Sequence, residues 1–302
     1  MPIRDLWKLV KQTIAEWSAD KAPTFAAALA YYTIFSIAPL LIIAVAVAGF
    51  AFGEDAVRGD VYRELQGLVG PSGAKVIEDM MISARKLESG IPATIFGVAV
   101  LILGASGVFT QLQETMDVIW KVKPRPVNGI VDFVRRRFLS FAMVLGIGFL
   151  LLVSLVISAA IAAIGAHFQQ LIPGSEPAWH LANVAASFAV ITFLFAMIYK
   201  ILPDTRVEWS DVWLGAAVTS LLFSLGKLAI GLYLGKSSVA STYGAAGSVA
   251  IVLIWVYYSA QILFLGAEFA QVYAKHRRES GQRAAERQRR GLAPPELSSA
   301  PR

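Results

Sequence analysis

The sequence predicts an all-α fold, a polytopic membrane bundle of six transmembrane helices, and three observations predict it. The chain is too apolar for water: 56% of its 302 residues are hydrophobic, 16% are charged and the mean hydropathy is +0.60. Soluble domains average about 45–50% apolar and roughly 25% charged residues, so this chain has too little polar side chain to cover a soluble surface. Its charges are clustered between long uncharged gaps, and the basic residues alternate from one loop to the next.

The gaps define the helices. About 20 apolar residues cross a hydrocarbon core of roughly 30 Å. Uncharged runs of 32, 25, 38 and 23 residues follow Lys21, Glu88, Arg137 and Glu176. Residues 212–235 carry a single charge, Lys227, and another 31 uncharged residues follow Lys236. Helices are therefore expected at 26–52, 93–112, 138–165, 181–202, 212–235 and 246–273, together forming a transmembrane domain over 26–273. Each satisfies its backbone hydrogen bonds internally. The first reads as a retained helix, because its apolar run is about twice the length of a signal-peptide core and a mixed-charge segment precedes it.

Lysine and arginine counts set the orientation. The N-terminal segment, the second and fourth loops and the C-terminal tail carry twenty, against six in the first, third and fifth loops. Both termini are expected in the cytoplasm.

Outside the bilayer, residues 1–25 hold an amphipathic helix with Leu6, Val10, Ile14 and Trp17 on one face. It either lies in the interface or caps the bundle. The first outer loop, near 53–92, is expected to hold two amphipathic helices divided by Gly70-Pro71-Ser72-Gly73, the second with a stripe at Val76, Met80, Ala84 and Leu87. Residues 274–302 read as a basic, disordered cytoplasmic tail. Its run Lys275-His276-Arg277-Arg278 serves either as a contact for anionic lipid headgroups or as a topology signal.

Ionisable side chains inside a span are functional candidates, because burial there costs at least about 2.5–3.5 kcal/mol. Lys227 is the best case, lying about 12 Å from the outer end of its helix; the alternative is a lysine that snorkels or lines a pore wall without a specific ligand. At its depth lie Tyr257, Tyr258 and Gln261 of the sixth span, Ser154 and Ser158 of the third, and Ser187 of the fourth. Lys227, Tyr257, Tyr258, Gln261, Ser154 and Ser187 are the candidate substrate or lipid contacts. A second polar level is expected near the cytoplasmic end, as an inner gate of Lys200, Asp204, Arg206, Glu268, Tyr31, Tyr32 and Pro39. There Glu268 is expected to pair with Arg206 or Lys200. Pro39 kinks the first span, and nearby hydroxyls satisfy the carbonyls it frees. Gly231 with Gly235, and Gly266 with Ala270, have the small-x-x-x-small spacing of close helix contacts.

Cysteine is absent, which excludes disulfides, thiol catalysis and Cys-ligated metals, and three scattered histidines leave no His-rich site. No cofactor, metal or enzymatic constellation is expected.

Three stretches carry a family resemblance. Ala30-Tyr31-Tyr32-Thr33-Ile34-Phe35-Ser36-Ile37-Ala38-Pro39-Leu40 resembles the first-helix motif of the YihY/BrkB family of bacterial inner-membrane proteins. Leu202-Pro203-Asp204-Thr205-Arg206, followed by Trp209 and Gly215-Ala216, resembles its fourth-loop motif. Gly231-Leu232-Tyr233-Leu234-Gly235, Ser241-Thr242-Tyr243-Gly244-Ala245-Ala246-Gly247-Ser248 and Gly266-Ala267-Glu268-Phe269 resemble its last-helix region. The resemblance covers roughly residues 20–275. It implies six helices with both termini inside, and a link to envelope integrity, serum resistance and, in one branch, export of lipopolysaccharide precursors. Many members are labelled ribonuclease BN. A metal-dependent ribonuclease needs clustered His and Asp ligands, whereas His167, His180 and His276 are scattered here, so neither RNA cleavage nor a specific nucleic-acid partner is expected. The expected function is a transporter or translocase of a lipid or other anionic amphiphile in envelope biogenesis. The alternative is a non-transporting scaffold of envelope integrity. Membrane lipids, anionic ones at the basic tail and loops, are the expected partners. Oligomeric state is left open.

Overall fold

A computed structural model describes residues 3–36, 107–122, 176–236 and 239–289, with single positions or short runs between 59 and 82. Every regular element among the described residues is an α-helix. In chain order these are α1 (Ile3–Ala19), α2 (described over 22–36), α3 (described over 107–119), α4 (Glu176–Ile201), α5 (Trp209–Lys236) and α6 (Val239–Arg289). Two stretches are long and apolar enough to cross a membrane, Val184–Ile201 in α4 and Val249–Ser280 in α6. The expected span at 138–165 and most of that at 93–112 lie outside the described residues, as do Pro39 and Ser154.

The turns between helices follow from local chemistry. Lys21 takes a left-handed backbone (φ 56°) between α1 and α2, and its N–H closes on the Ser18 carbonyl at 3.2 Å. Pro23 then sits in the first turn of α2, where no intrahelical donor is needed. Lys121 is left-handed too (φ 54°). Its N–H donates to Val118 at 3.0 Å and that of Val122 to Asp117 at 2.8 Å, which is the paired-bond pattern of a Schellman helix stop. After α4, Pro203 blocks continuation of the helix. The Asp204 N–H instead donates to the Asp117 carboxylate at 2.7 Å, tying the α4–α5 turn to the end of α3.

Packing centres on a close meeting of α4, α5 and α6. A Cβ on Gly215 would lie 2.5 Å from the Ala270 Cβ, and one on Gly266 would lie 1.7 Å from the Thr219 Oγ1. The expected Gly266–Ala270 pair is therefore used within the bundle, against Gly215 and Thr219 of α5. Tyr199 of α4 is fully buried at the same level. Its hydroxyl lies 2.8 Å from the Leu263 carbonyl and 2.8 Å from Thr219 Oγ1, which is itself 2.7 Å from the Gly215 carbonyl. Two hydroxyl protons thus serve three contacts.

Ala22, Ala26 and Leu29 of α2, with Met116 and Ile119 of α3, complete this core around Phe264 and Ala267. A second cluster joins Ala30 and Ile34 to Val252 and Val256 of α6 and to Ala74, Ile77 and Met81. The stripe expected in the first loop, Val76, Met80, Ala84 and Leu87, lies outside the described residues. Hydroxyls on the helices serve their own backbones: Thr33 donates to the Leu29 carbonyl at 2.7 Å and Ser36 to that of Tyr32 at 2.5 Å.

Two expectations need correction. On α1, Leu9 is buried against Phe269 and Val272 of α6, while Ile14 and Trp7 are exposed. Docking onto α6, rather than the apolar stripe alone, chose the buried face. The tail expected to be disordered from 274 is helical through Arg289. Ala284, Ala285 and the Gln, Glu and Arg around them favour helix, and Arg277 and Arg278 anchor its start through bridges of 3.4 and 3.0 Å to buried Asp211.

Gly266→Ala is expected to destabilise the protein by about 1–3 kcal/mol, read as a lower melting temperature in detergent. Combining it with Thr219→Gly should recover part of the loss, because the obstructing Oγ1 and Cβ are then gone.

Candidate functional site

At the end of the bundle where α1 turns into α2 and α3 stops, four charged side chains from three parts of the chain converge. Glu16 lies in the last turn of α1, Asp20 in the α1–α2 turn, Lys121 just past α3, and Glu268 on α6. The left-handed turn at Lys121 directs its ammonium onto Asp20, 2.6 Å from Oδ1 and 2.5 Å from Oδ2, and to 3.1 Å from Glu16 Oε2. A non-glycine residue in that backbone conformation costs about 1–2 kcal/mol, a cost these charge-assisted bonds help offset.

Exposure falls steadily inward. The side chains are 44% exposed at Lys121, 29% at Glu16 and 14% at Asp20, and Glu268 is 0% exposed. The charges acting on Glu268 are those of Asp20, Lys121 and Glu16, and neither of its carboxyl oxygens accepts a hydrogen bond. The indole N–H groups of Trp17 and Trp120, adjoining Glu16 and Lys121 in sequence, are also buried without an acceptor.

Burial opposes the charge on Lys121, but the hydrogen bonds and charges of Asp20 and Glu16 outweigh it and raise its pKa above 10.5. Beside the cluster, Trp120, Gln271, Lys275, Arg278, Glu279 and Gln282 line a cavity of about 280 Å³. Among the described residues, no three His, Asp or Glu side chains converge closely enough to hold a metal ion.

The expected inner gate is not assembled as one unit. Lys200 turns its ammonium to the Val207 carbonyl and lies 6.0 Å from the centre of the Trp209 ring. Arg206 and Asp204 are exposed. Tyr31 and Tyr32 are exposed and meet edge to face at 5.9 Å. The charged neighbours of Glu268 are thus Lys121, Asp20 and Glu16, in place of the expected Lys200 or Arg206. The reason is local: Val207 and Trp209, a few residues past Lys200, capture its ammonium before it can reach α6.

At the other level, Lys227 is exposed on α5, and Tyr257 and Tyr258 are exposed on α6. The Tyr258 ring packs on Gly226, where a Cβ would lie 2.4 Å from Cε1. Gln261 and Ser187 are half-buried, and the Gln261 Oε1 has no donor.

Glu16, Asp20 and Lys121 were not singled out from the sequence. Lys121 and Asp20 stand 101 residues apart, so no local pattern joins them. The available hints were two acids four apart at the end of α1 and a lysine directly after an apolar helix.

The helices, two of them long and apolar enough to cross a membrane, are consistent with a helical membrane protein. A family model described as Virulence factor BrkB matches residues 13–291, and the chain belongs to that family. Its relatives include a UPF0761 membrane protein of Pseudomonas aeruginosa, 28% identical over 82% of this chain and 58% of its own length. Another, from Verminephrobacter eiseniae, is 29% identical over 86% of this chain and 61% of the relative. A third, from Albidiferax ferrireducens, is 30% identical over 87% and 62%. The chain spans about three-fifths of the length of these relatives. No solved structure matches it.

Because Lys121 has a raised pKa in the folded protein, its pairing stabilises fully below pH 10.5 and is lost as pH rises through the folded value. Lys121→Met should therefore melt below wild type at neutral pH, with the difference shrinking in melts taken well above pH 10.5. Lys121→Gly removes the same pairing but relieves the backbone. It should be about 1 kcal/mol more stable than Lys121→Ala.

Proposed function

We propose that this protein is a non-enzymatic transporter or translocase of a lipid or another anionic amphiphile in envelope biogenesis. It works in the bacterial cytoplasmic membrane with both termini inside. The observation that carries this reading is Lys227. It is the one charge in a 24-residue stretch of α5, and it is exposed beside the Tyr258–Gly226 contact. A charge facing hydrocarbon is costly, and a headgroup arriving laterally from the bilayer is a partner that offsets the cost with an anion. The basic residues near the end of the bundle, Lys275 and Arg278, supply a second contact for anionic headgroups.

The test is leaflet exchange of labelled anionic and zwitterionic lipids in liposomes holding the purified protein. Exchange of the anionic lipid should be about tenfold slower in Lys227→Leu than in wild type, the effect of losing about 1.4 kcal/mol of binding. Equal rates would remove Lys227 from the path. Orientation has its own test, made simple by the absence of cysteine. Single cysteines at Ser18 and Ser280 should react with an impermeant maleimide only after the inner face is opened.

A scaffold reading is favoured by one feature, the polar end of α6. Arg277 and Arg278 are exposed there even while bridged to Asp211, a surface suited to a partner protein. Folded protein with no lipid exchange, co-purifying with a stoichiometric partner, would select that reading.

A further inference from the structure

Glu268 is the group on α6 least explained by packing. Its side chain is sealed from solvent, yet neither oxygen finds a hydrogen-bond donor, and the Asp20 carboxyl is one of the three charged side chains that act on it. Two ionised carboxylates are both acceptors, so a hydrogen bond between them requires a proton on one. Adjacent carboxyl groups that hold one proton between them are a known solution to this geometry. The charge count points the same way. Fully ionised, Glu16, Asp20 and Glu268 set three negative charges against the single ammonium of Lys121.

Further along α6, in the cavity beside Trp120, lie Lys275, Arg278 and Glu279; α4 and α5 bring no further charge to Glu268. Tyr199 of α4 is adjacent through Gly266, but its hydroxyl is engaged with Leu263 and Thr219. Thr219 and Gly215 of α5 bring no titratable group.

We propose that Glu268 and Asp20 form a proton-binding site sharing one proton, with Lys121 as its counter-charge and its cover toward water. The exposure gradient from Lys121 to Glu268 supplies the route. A proton from the aqueous phase reaches the Asp20 carboxylate and settles between it and Glu268. The pair then carries one negative charge, matched by Lys121, and Glu16 stays at the exposed rim. Release of the proton restores the second negative charge and draws the ammonium inward, away from Glu16. The α1–α2 turn and the end of α3 thereby become a proton-sensitive joint on α6. In the transport reading above, on which this last step rests, the bound proton is the coupling ion.

Infrared difference spectra of the protein in liposomes, taken between neutral and alkaline buffer, where exposed carboxylates stay ionised throughout, test the site without any transport. Wild type should show a protonated-carboxyl C=O band that is lost in Glu268→Gln; a band of unchanged intensity in that variant would overturn the proposal. If Glu268→Gln fails to fold, Asp20→Asn, in the partly exposed turn, decides instead. Its band should shift in frequency, because the shared partner becomes an amide, and an unmoved band would overturn the proposal equally. The coupling step is read separately, from lipid exchange with and without a pH gradient. The gradient should change the wild-type rate several-fold and leave Glu268→Gln unaffected. A wild-type rate indifferent to the gradient would overturn the coupling. An absence of exchange in every protein would remove the transport reading and the coupling with it, while the infrared result decides the proton site.

Discussion

The close approach of α5 and α6 at Gly215, Thr219, Gly266 and Ala270 is the constraint on which the rest of the fold depends. In a bilayer, apolar helices gain little from leaving lipid for one another, so association rests on contact distance and on hydrogen bonds. Removing the Cβ at Gly266 lets the Thr219 hydroxyl sit where that carbon would be, and Tyr199 reaches in from α4 to the Leu263 carbonyl. Apolar side chains of larger size at any of these points would part the helices. The same contact fixes the depth and rotation of α6. Two residues further on, roughly 200° around the helix, Glu268 faces away from α4 and α5. The grip on one side of α6 thus aims a carboxyl at the other, toward α1, α2 and α3.

What meets that carboxyl is a joint made from chain ends. The α1–α2 turn and the stop of α3 each place a lysine in a left-handed backbone, where glycine is the usual occupant. Strain of this kind persists only when the surroundings over-determine it. At Lys121 those surroundings are two carboxylates and the Schellman bonds; for Lys21 the structure offers no comparable side-chain reason. Asp117 adds a link from the end of α3 to the Asp204 backbone, and Asp211 ties α5 to the polar end of α6. These helix ends are therefore held by charge-assisted bonds in addition to the apolar core, which includes Ala22, Ile119, Leu202 and Val212. Contacts of this kind respond to pH and salt far more than buried alanines do.

Two kinds of polar residue on the helices stand in contrast. Thr33, Ser36, Thr115, Ser220 and Ser224 donate to carbonyls one turn back, and so stay neutral guests of their own helices. Lys227 and Glu268 cannot be satisfied in that way, and the structure treats them in opposite manner. Lys227 is turned outward on α5, while Glu268 is closed in beneath Asp20. An exposed lysine suits a partner that arrives from outside the bundle. A buried carboxyl with charged side chains beside it suits an ion as small as the proton. The proposed function assigns the two levels to these two partners.

Residues 176–289 show where the sequence sufficed. Apolar runs nearly free of charge placed the helices α4 and α5 within several residues and the apolar part of α6 within it, because length and hydropathy are properties of each segment alone. The small-residue spacing of Gly266 and Ala270 was also legible, though not its partner helix. Periodicity failed on α1, where Leu6, Val10, Ile14 and Trp17 made a plausible face yet docking buried Leu9 and exposed Ile14. It failed at the tail too, where charge was taken for disorder and Asp211 anchors a continuing helix. Glu268 stood out in the sequence as an acid within an expected span, but its neighbours did not. Segment chemistry is local, and the sequence determined it: which stretches are apolar, and which charges interrupt them. Which charges face each other depends on how far helices approach and rotate, and only the tertiary structure, by setting α6 against Gly215 and Thr219, decided that Glu268 would look toward Asp20 and Lys121.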